Sequence, residues 1–253
     1  MSVLKTPSFQ RLALLHLLVN AILLWLGYYW LGVGEAKISM VAWSAYLIVV
    51  ILGLGCCAYG ASLAYFRAEE NLTAPAAWKM AWGNLIPLAL TAVILAWIYW
   101  MLARWAEYSG TPAFTIASYL TLKLRHPVKP ESVRRIFDSA LWVVRWAVVP
   151  VLFLPAISAM AVRGWTGVRE IGLPTRRWVY WIQAPALLLC AFWVPLKLLK
   201  WVPITSQFSL EMASFALRAL VAYFLLAGAW WMLAFVTSAG RPRLTQSVTV
   251  DAP

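Results

Sequence analysis

Residues 131–150 read Glu-Ser-Val-Arg-Arg-Ile-Phe-Asp-Ser-Ala-Leu-Trp-Val-Val-Arg-Trp-Ala-Val-Val-Pro. The stretch begins with charged residues at helical spacing and passes without a break into an apolar run that ends near Arg163. Asp138 and Arg145 are seven residues apart, or two helical turns, so they share one face of a helix. The pattern predicts an amphipathic helix that continues directly into a membrane span.

The composition of the whole chain supports a membrane protein. Of its 253 residues, 63% are hydrophobic and only 12% are charged, and the mean hydropathy is +0.76. A soluble domain carries about a quarter charged residues. One soluble core cannot bury so many apolar side chains, which leaves the bilayer as the solvent. We therefore predict an all-α polytopic membrane protein.

Apolar runs of about 20 residues are long enough to cross the hydrocarbon core of a bilayer. Such runs predict about six transmembrane helices, arranged as three helical hairpins in a single domain over residues 1–240. A connection at 105–131 is too short and too mixed to cross, which predicts an interfacial amphipathic segment. Residues 241–253 form a polar tail. The predicted spans are 10–32, 39–66, 80–104, 138–162, 178–201 and 212–237.

The acid-to-arginine pattern of the fourth span returns in the sixth. Glu211 corresponds to Asp138, and Arg218 corresponds to Arg145, with the same spacing of seven. We predict an internal repeat that relates the hairpin of spans three and four to the hairpin of spans five and six. Chance similarity between apolar runs is the alternative. The third and fifth spans add a shared Trp-to-Pro motif, at residues 82–87 and 181–185.

The formal net charge of +12 does not indicate nucleic acid. The Lys and Arg residues stand at the ends of apolar runs, where they reach lipid headgroups, and no basic groove with interleaved aromatic residues occurs outside the spans. We therefore expect membrane lipids as partners and no nucleic acid. Basic residues are divided almost evenly between the two sides, but the short, Arg-dense connection 163–177 favours cytoplasmic termini. We expect a bacterial inner membrane location.

Charged residues in or beside spans are costly and are candidate functional sites. Asp138, Arg145, Glu211 and Arg218 have three interpretations. Each arginine reaches the interface or pairs with the acid of its own helix, which is the favoured interpretation. Alternatively, Asp138 pairs with Arg218 and Glu211 with Arg145 across helices, or the arginines bind an anionic ligand.

Uncharged polar residues in the spans are also candidates. His16 and Asn20 are four residues apart on one face, which favours a hydrogen-bonded packing pair over a proton relay. Each proline inside a span removes a backbone donor and kinks the helix. Asn84 and Gln183 stand close to such prolines and could bond the freed carbonyls. The prolines in spans three to five are Pro87, Pro150, Pro155, Pro185 and Pro195.

Small residues recur at helical spacing in the second span. Gly53, Cys57 and Ala61 form one row, and Ala58 and Ser62 begin another. Small rows let helix backbones approach closely. They predict a helix-packing face, either within the chain or against a partner.

Several classes of site are not indicated by the sequence. The three cysteines lie in apolar runs and the chain has two histidines, so we expect no metal site. We see no Gly-rich phosphate loop and no Ser/His/Asp set. We predict no cofactor, although a pigment or quinone beside the clusters of the seventeen Trp residues stays open.

Our first functional hypothesis is a non-enzymatic membrane subunit or scaffold that packs against partner membrane proteins, or against copies of itself, and lipids. The alternative is a transporter or channel component that uses the kinked spans three to six with Arg145 and Arg218. An intramembrane enzyme is the third hypothesis. A polar, water-lined cavity among spans three to six would favour transport, whereas a dry interior and a small row on the second span that faces lipid or a partner would favour a subunit.

Overall fold

The computed structural model describes residues 7–34, 36–67, 72–170, 177–201 and 207–238. The predicted polar tail, 241–253, lies outside the described residues. The regular elements of the described chain are all helices. They are α1 (Pro7–Leu31), α2 (Ile38–Arg67), α3 (Ala74–Gly83), α4 (Leu85–Tyr108), α5 (Gly110–Leu124), α6 (Pro130–Val143), α7 (Val149–Arg163), α8 (Trp178–Leu188), α9 (Val194–Lys200) and α10 (Phe208–Ser238).

Two π-helical turns and one 3-10 segment complete the described elements. The π turn Val144–Val148 joins α6 to α7, and the π turn Leu189–Trp193 joins α8 to α9. Each pair therefore forms one long helix that is interrupted by a π turn. Gly164–Glu170 is a 3-10 segment after α7.

The structure confirms the predicted fold class. Within the described residues, six helices are long and apolar enough to span a membrane. The chain is therefore an integral membrane protein. The six helices are Pro7–Leu31, Ile38–Arg67, Leu85–Tyr108, Pro130–Arg169, Trp178–Lys200 and Phe208–Ser238.

The third span begins later than the predicted residue 80, because the helix is interrupted at Asn84. Pro87 has no N–H to bond the carbonyl four residues earlier, at Gly83, and neither Gly nor Asn favours helix. The short helix α3 therefore packs separately, with Ala74, Ala77 and Ala81 buried.

The connection at 105–131 contains a helix that packs against the start of the fourth span. The helix α5 ends at Leu124, and the next residue, Arg125, adopts a left-handed conformation with φ 54°. The Val128 backbone N–H then donates to Thr121 Oγ1 at 3.0 Å, which closes the turn. Ala113, Ala117 and Val133 form the buried contact between α5 and α6.

The second half of α2 forms the centre of the bundle. It packs against α1, α3, α4, α7 and α10. Cys57, Ala61 and Ala64 are fully buried there, because small side chains allow these helices to approach closely. Gly60 is the most tightly packed of the glycines on α2. A Cβ atom on this residue would lie 2.8 Å from Leu88 Cδ1 and 3.2 Å from the Ala81 Cβ.

Adjacent spans run in opposite directions, so the bundle has two ends. We call them the amino-terminal end, where α1 begins and α10 finishes, and the far end, which carries α5 and the start of α6. Only 11% to 28% of the most apolar window of each span is buried within the bundle. Most of the span surface therefore faces outward.

The contacts of Gly60 predict a selective effect of adding a side chain. Gly60→Leu should destabilise the protein by about 1–3 kcal/mol, because overpacking displaces Leu88 and the α3 backbone. Gly53→Leu, on the same helix, is the matched control, since a Cβ at that position meets nothing within 4 Å. Thermal unfolding in detergent, followed by size-exclusion chromatography, measures both. Equal melting temperatures for the two variants would contradict the packing described.

Candidate functional site

Polar side chains from α1, α2 and α10 meet within the amino-terminal half of the bundle. Tyr59 Oη donates to Asn20 Oδ1 at 2.9 Å, and Ser62 Oγ donates to the Tyr59 carbonyl at 2.7 Å. Trp230 Nε1 in turn donates to Ser62 Oγ at 2.7 Å. The hydroxyl of Tyr223 donates to the backbone carbonyl of Leu17. These bonds hold three spans together. We use the name polar cluster for the six side chains His16, Asn20, Tyr59, Ser62, Tyr223 and Trp230.

His16 is 1% exposed and packs between the aromatic rings of two other helices. Its ring centroid lies 5.0 Å from that of Tyr59 and 5.2 Å from that of Trp231, both edge-to-face. The ring faces the carbonyl of Ala58, although neither nitrogen makes a hydrogen bond of standard geometry with a described residue. The predicted bond between His16 and Asn20 does not form, because Asn20 accepts from α2 instead.

The two rows of small residues on α2 have different surroundings. Cys57 and Ala61 are fully buried, and Ala58 and Ser62 are almost so. Gly53, at the start of the first row, is partly exposed and has open space where a Cβ would stand. The inner part of the predicted face therefore packs within the chain, and its outer part does not.

Arg145 and Arg218 each reach a backbone carbonyl of the preceding span. Arg145 Nη2 donates to the Leu102 carbonyl at 2.6 Å. Arg218 donates through Nη1 to the Leu198 carbonyl at 3.5 Å and through Nε to Ser214 of its own helix at 3.1 Å. Both carbonyls belong to the C-terminal half of a span. The same contact thus occurs in both hairpins of the predicted repeat.

The acids do not join these arginines. Asp138 and Glu211 are exposed, and neither the predicted intrahelical pairs nor the predicted cross-helix pairs form among the described residues. Two helical turns separate each acid from its arginine by about 10 Å along the axis, whereas a carbonyl of the neighbouring span lies within reach. An exposed ion pair does form elsewhere, between Arg104 and Glu107 at 3.1 Å.

Arg218 is the more deeply buried of the two arginines. It is 6% exposed, and its guanidinium carbon lies 5.8 Å from the ring centroid of Trp201 and 5.9 Å from that of Phe215. Cation–π contacts of this kind stabilise a charge that has been removed from water. Arg145 is half-buried, and its Nε has no hydrogen-bond partner in the described structure.

The π turn beside Arg145 follows from the position of Pro150. Val149 N–H donates to the Val144 carbonyl, five residues earlier. The next such bond would run from residue 150 to the Arg145 carbonyl, but proline has no N–H. Tyr99 Oη on α4 donates to that carbonyl at 2.7 Å instead. The span α4 therefore binds residue 145 twice, through Tyr99 and through the carbonyl of Leu102.

A second π turn lies beside the first. Val194 N–H donates to the Leu189 carbonyl immediately before Pro195. The rings of Trp146 and Phe192, one from each turn, are 6.0 Å apart between centroids. π turns occur often at functional sites, so this pair is the feature of the bundle that most resembles an interrupted-helix binding site.

Among the other span prolines, Pro155 frees a carbonyl that a described side chain bonds, whereas the predicted partners of Pro87 and Pro185 do not bond the freed carbonyls. The carbonyl of Val151, freed by Pro155, accepts a bond from Tyr180 Oη at 3.0 Å. Asn84 does not bond a carbonyl freed by Pro87; its Nδ2 donates to the Ala161 carbonyl at 3.1 Å, near the end of α7. Gln183 is exposed and makes no hydrogen bond with a described residue. It lines a groove of about 550 Å³ at the amino-terminal end.

Tyr99, Tyr180 and Tyr223 are structurally important residues that the sequence did not single out. Each hydroxyl bonds a carbonyl of another helix. Their sequence signal is weak. Tyrosine is common in the interfacial belts of membrane proteins, and its carbonyl partner cannot be recognised before the helices are packed.

A metal centre is not formed by the described residues, where no group of three or more His, Cys, Asp or Glu side chains gathers. Cys56, Cys57 and Cys190 are free thiols. No protein-family model, curated protein or solved structure matches this chain. The candidate site therefore rests on its geometry alone.

The donor that replaces the missing N–H of Pro150 can be tested by a double-mutant cycle. Tyr99→Phe should destabilise the protein by about 1–3 kcal/mol, because the Arg145 carbonyl loses its donor. In a Pro150→Ala background the backbone N–H returns, so the same substitution should cost much less.

Thermal unfolding in detergent is measured for the wild type, the two single variants and the double variant. Tyr108→Phe is the matched control, since that tyrosine is on the same helix and 70% exposed. If Tyr99→Phe costs as much in the Pro150→Ala background as in the wild type, the compensation described is wrong.

Proposed function

We propose that this chain is a non-enzymatic membrane subunit or scaffold that packs against partner membrane proteins and lipids. The observation that carries the proposal is that its intramembrane polar groups form hydrogen bonds within the bundle. Arg145, Arg218, Asn84 and the members of the polar cluster other than His16 bond backbone carbonyls or one another across helices. Groups used in this way stabilise a bundle, whereas a transport site leaves polar groups facing a shared cavity.

The positions of the grooves agree with this interpretation. Two grooves, of about 550 and 690 Å³, open at the amino-terminal end of the bundle. Their linings are mainly apolar and aromatic.

The first half of α2 is the surface that we propose for partner spans. It belongs to the span with the smallest buried share, 11% of its most apolar window. Trp43, Tyr46 and Val49 are exposed there, and Gly53 and Gly55 leave open space. Partly exposed glycines with open space beside them let the backbone of a second helix approach closely, which strengthens packing in a bilayer.

Site-specific photo-crosslinking in native membranes tests this surface. A photoreactive residue at Ile48, which is 46% exposed, should give a discrete adduct with a partner span, whereas one at the buried Leu63 should not. Gly53→Leu with Gly55→Leu should abolish the adduct without lowering the melting temperature. Adducts with lipid alone, together with purification of a lone chain, would contradict the subunit proposal.

The transport alternative rests on the adjacent π turns before Pro150 and Pro195. Interrupted helices of this kind surround substrate sites in many transporters. In that case water would reach the turns, and Arg145, whose Nε has no described partner, would face the substrate.

We further propose that both termini face the cytoplasm in a bacterial inner membrane. Six spans place the two termini on one side, and the Arg-dense connection after α7 lies on that side. The far end, with α5 and the start of α6, would then face outward.

Thiol labelling of single-cysteine variants, with the native cysteines replaced, tests the interior and the orientation together. Ser132→Cys, at the exposed far end, should react in intact cells with a membrane-impermeant maleimide. Ala191→Cys, buried in the second π turn, should stay unlabelled from either side. Labelling at position 191 would favour the transport alternative, and protection of position 132 until the cells are opened would reverse the orientation.

A further inference from the structure

A groove at the amino-terminal end combines a cationic rim with an apolar floor. It lies between the start of α1 and α3 and has a volume of about 690 Å³. Its described lining is Arg11, Leu15, Ala74, Pro75, Trp78, Lys79 and Trp82.

The two cations of this groove are available to a ligand. Arg11 and Lys79 are exposed, and neither makes an ion pair or a side-chain hydrogen bond with another described residue. Arg67, at the same end, is instead buried and donates to the Pro155 carbonyl at 3.5 Å. Arg67 is therefore bonded within the bundle, whereas Arg11 and Lys79 face outward.

The groove is held by the core of the bundle. Ala74, Ala77 and Ala81 of α3 are buried in one cluster with Leu12 of α1 and Ala61 of α2. Lys79 is therefore carried on a helix that is fixed against the helix carrying Arg11. Two charges held in this way cost less to order around a ligand than charges on free loops.

We propose that this groove binds an anionic phospholipid. The phosphate lies between Arg11 and Lys79, and an acyl chain follows Leu15 and Trp82. Basic pockets between transmembrane helices bind such headgroups, and a Trp ring suits the boundary between headgroup and chain. The proposal deepens the proposed function by specifying the lipid partner, and it rests on the chain being a membrane subunit.

Binding of one fluorescent phosphatidylglycerol per chain, to the purified full-length protein in detergent, tests the site. Wild type should bind phosphatidylglycerol more tightly than phosphatidylcholine. Arg11→Gln with Lys79→Gln should weaken binding by about 25-fold, at about fivefold for each charge near the headgroup. The matched control is Arg134→Gln with Arg135→Gln, which removes the same charge from exposed far-end positions and should change the affinity less than twofold.

Three results would overturn the site. They are equal weakening by the two double variants, equal affinity for phosphatidylcholine, and complete displacement of the lipid by inorganic phosphate, which would indicate a free anion. Melting temperatures should match wild type in both double variants, because all four side chains are exposed. Crosslinking at Ile48 reports the subunit function separately, so failure of one proposal is distinguishable from failure of the other.

Discussion

The middle of the bundle depends on tyrosine hydroxyls that donate, within the bilayer, to backbone carbonyls freed by proline. No water is available there to bond a freed carbonyl, and each proline inside a span frees one. Pro150 and Pro155 stand in one interrupted helix, and the hydroxyls of Tyr99 and Tyr180 donate to the carbonyls at Arg145 and Val151. The donors come from two different spans, so a local defect in one helix fixes the positions of two neighbours.

The sequence predicted the features that depend on local composition and period. Span number and helical class follow from runs of apolar residues, and the structure bears them out. The sequence predicted kinks at the span prolines. It did not predict the break at Asn84 or the π turns before Pro150 and Pro195. Which hydrogen bond is lost at a kink depends on the turn that forms, and that is set by packing rather than by the proline alone.

The hydrogen-bond partners of Arg145 and Arg218 could not be predicted from the sequence. Their matching acids suggested ion pairs, yet the arginines bond Leu102 and Leu198 on the preceding spans. A backbone carbonyl has no sequence signature, because every residue carries one. Their shared spacing was nonetheless informative, since both arginines make the same kind of contact within their own hairpins. The pairing of Asn20 with Tyr59 was not predictable for a different reason, because two side chains 39 residues apart meet only once α1 packs against α2.

The double attachment of residue 145 to α4 has a consequence for biosynthesis. A lone fourth span would enter lipid with an uncapped carbonyl and an unbonded guanidinium, both costly in hydrocarbon. Once α4 is present, Tyr99 bonds the carbonyl and the Leu102 carbonyl accepts from the guanidinium, which lowers both costs. We therefore expect spans three and four to leave the translocon as one unit, and a nascent chain with α4 replaced by an inert apolar helix to insert its fourth span poorly.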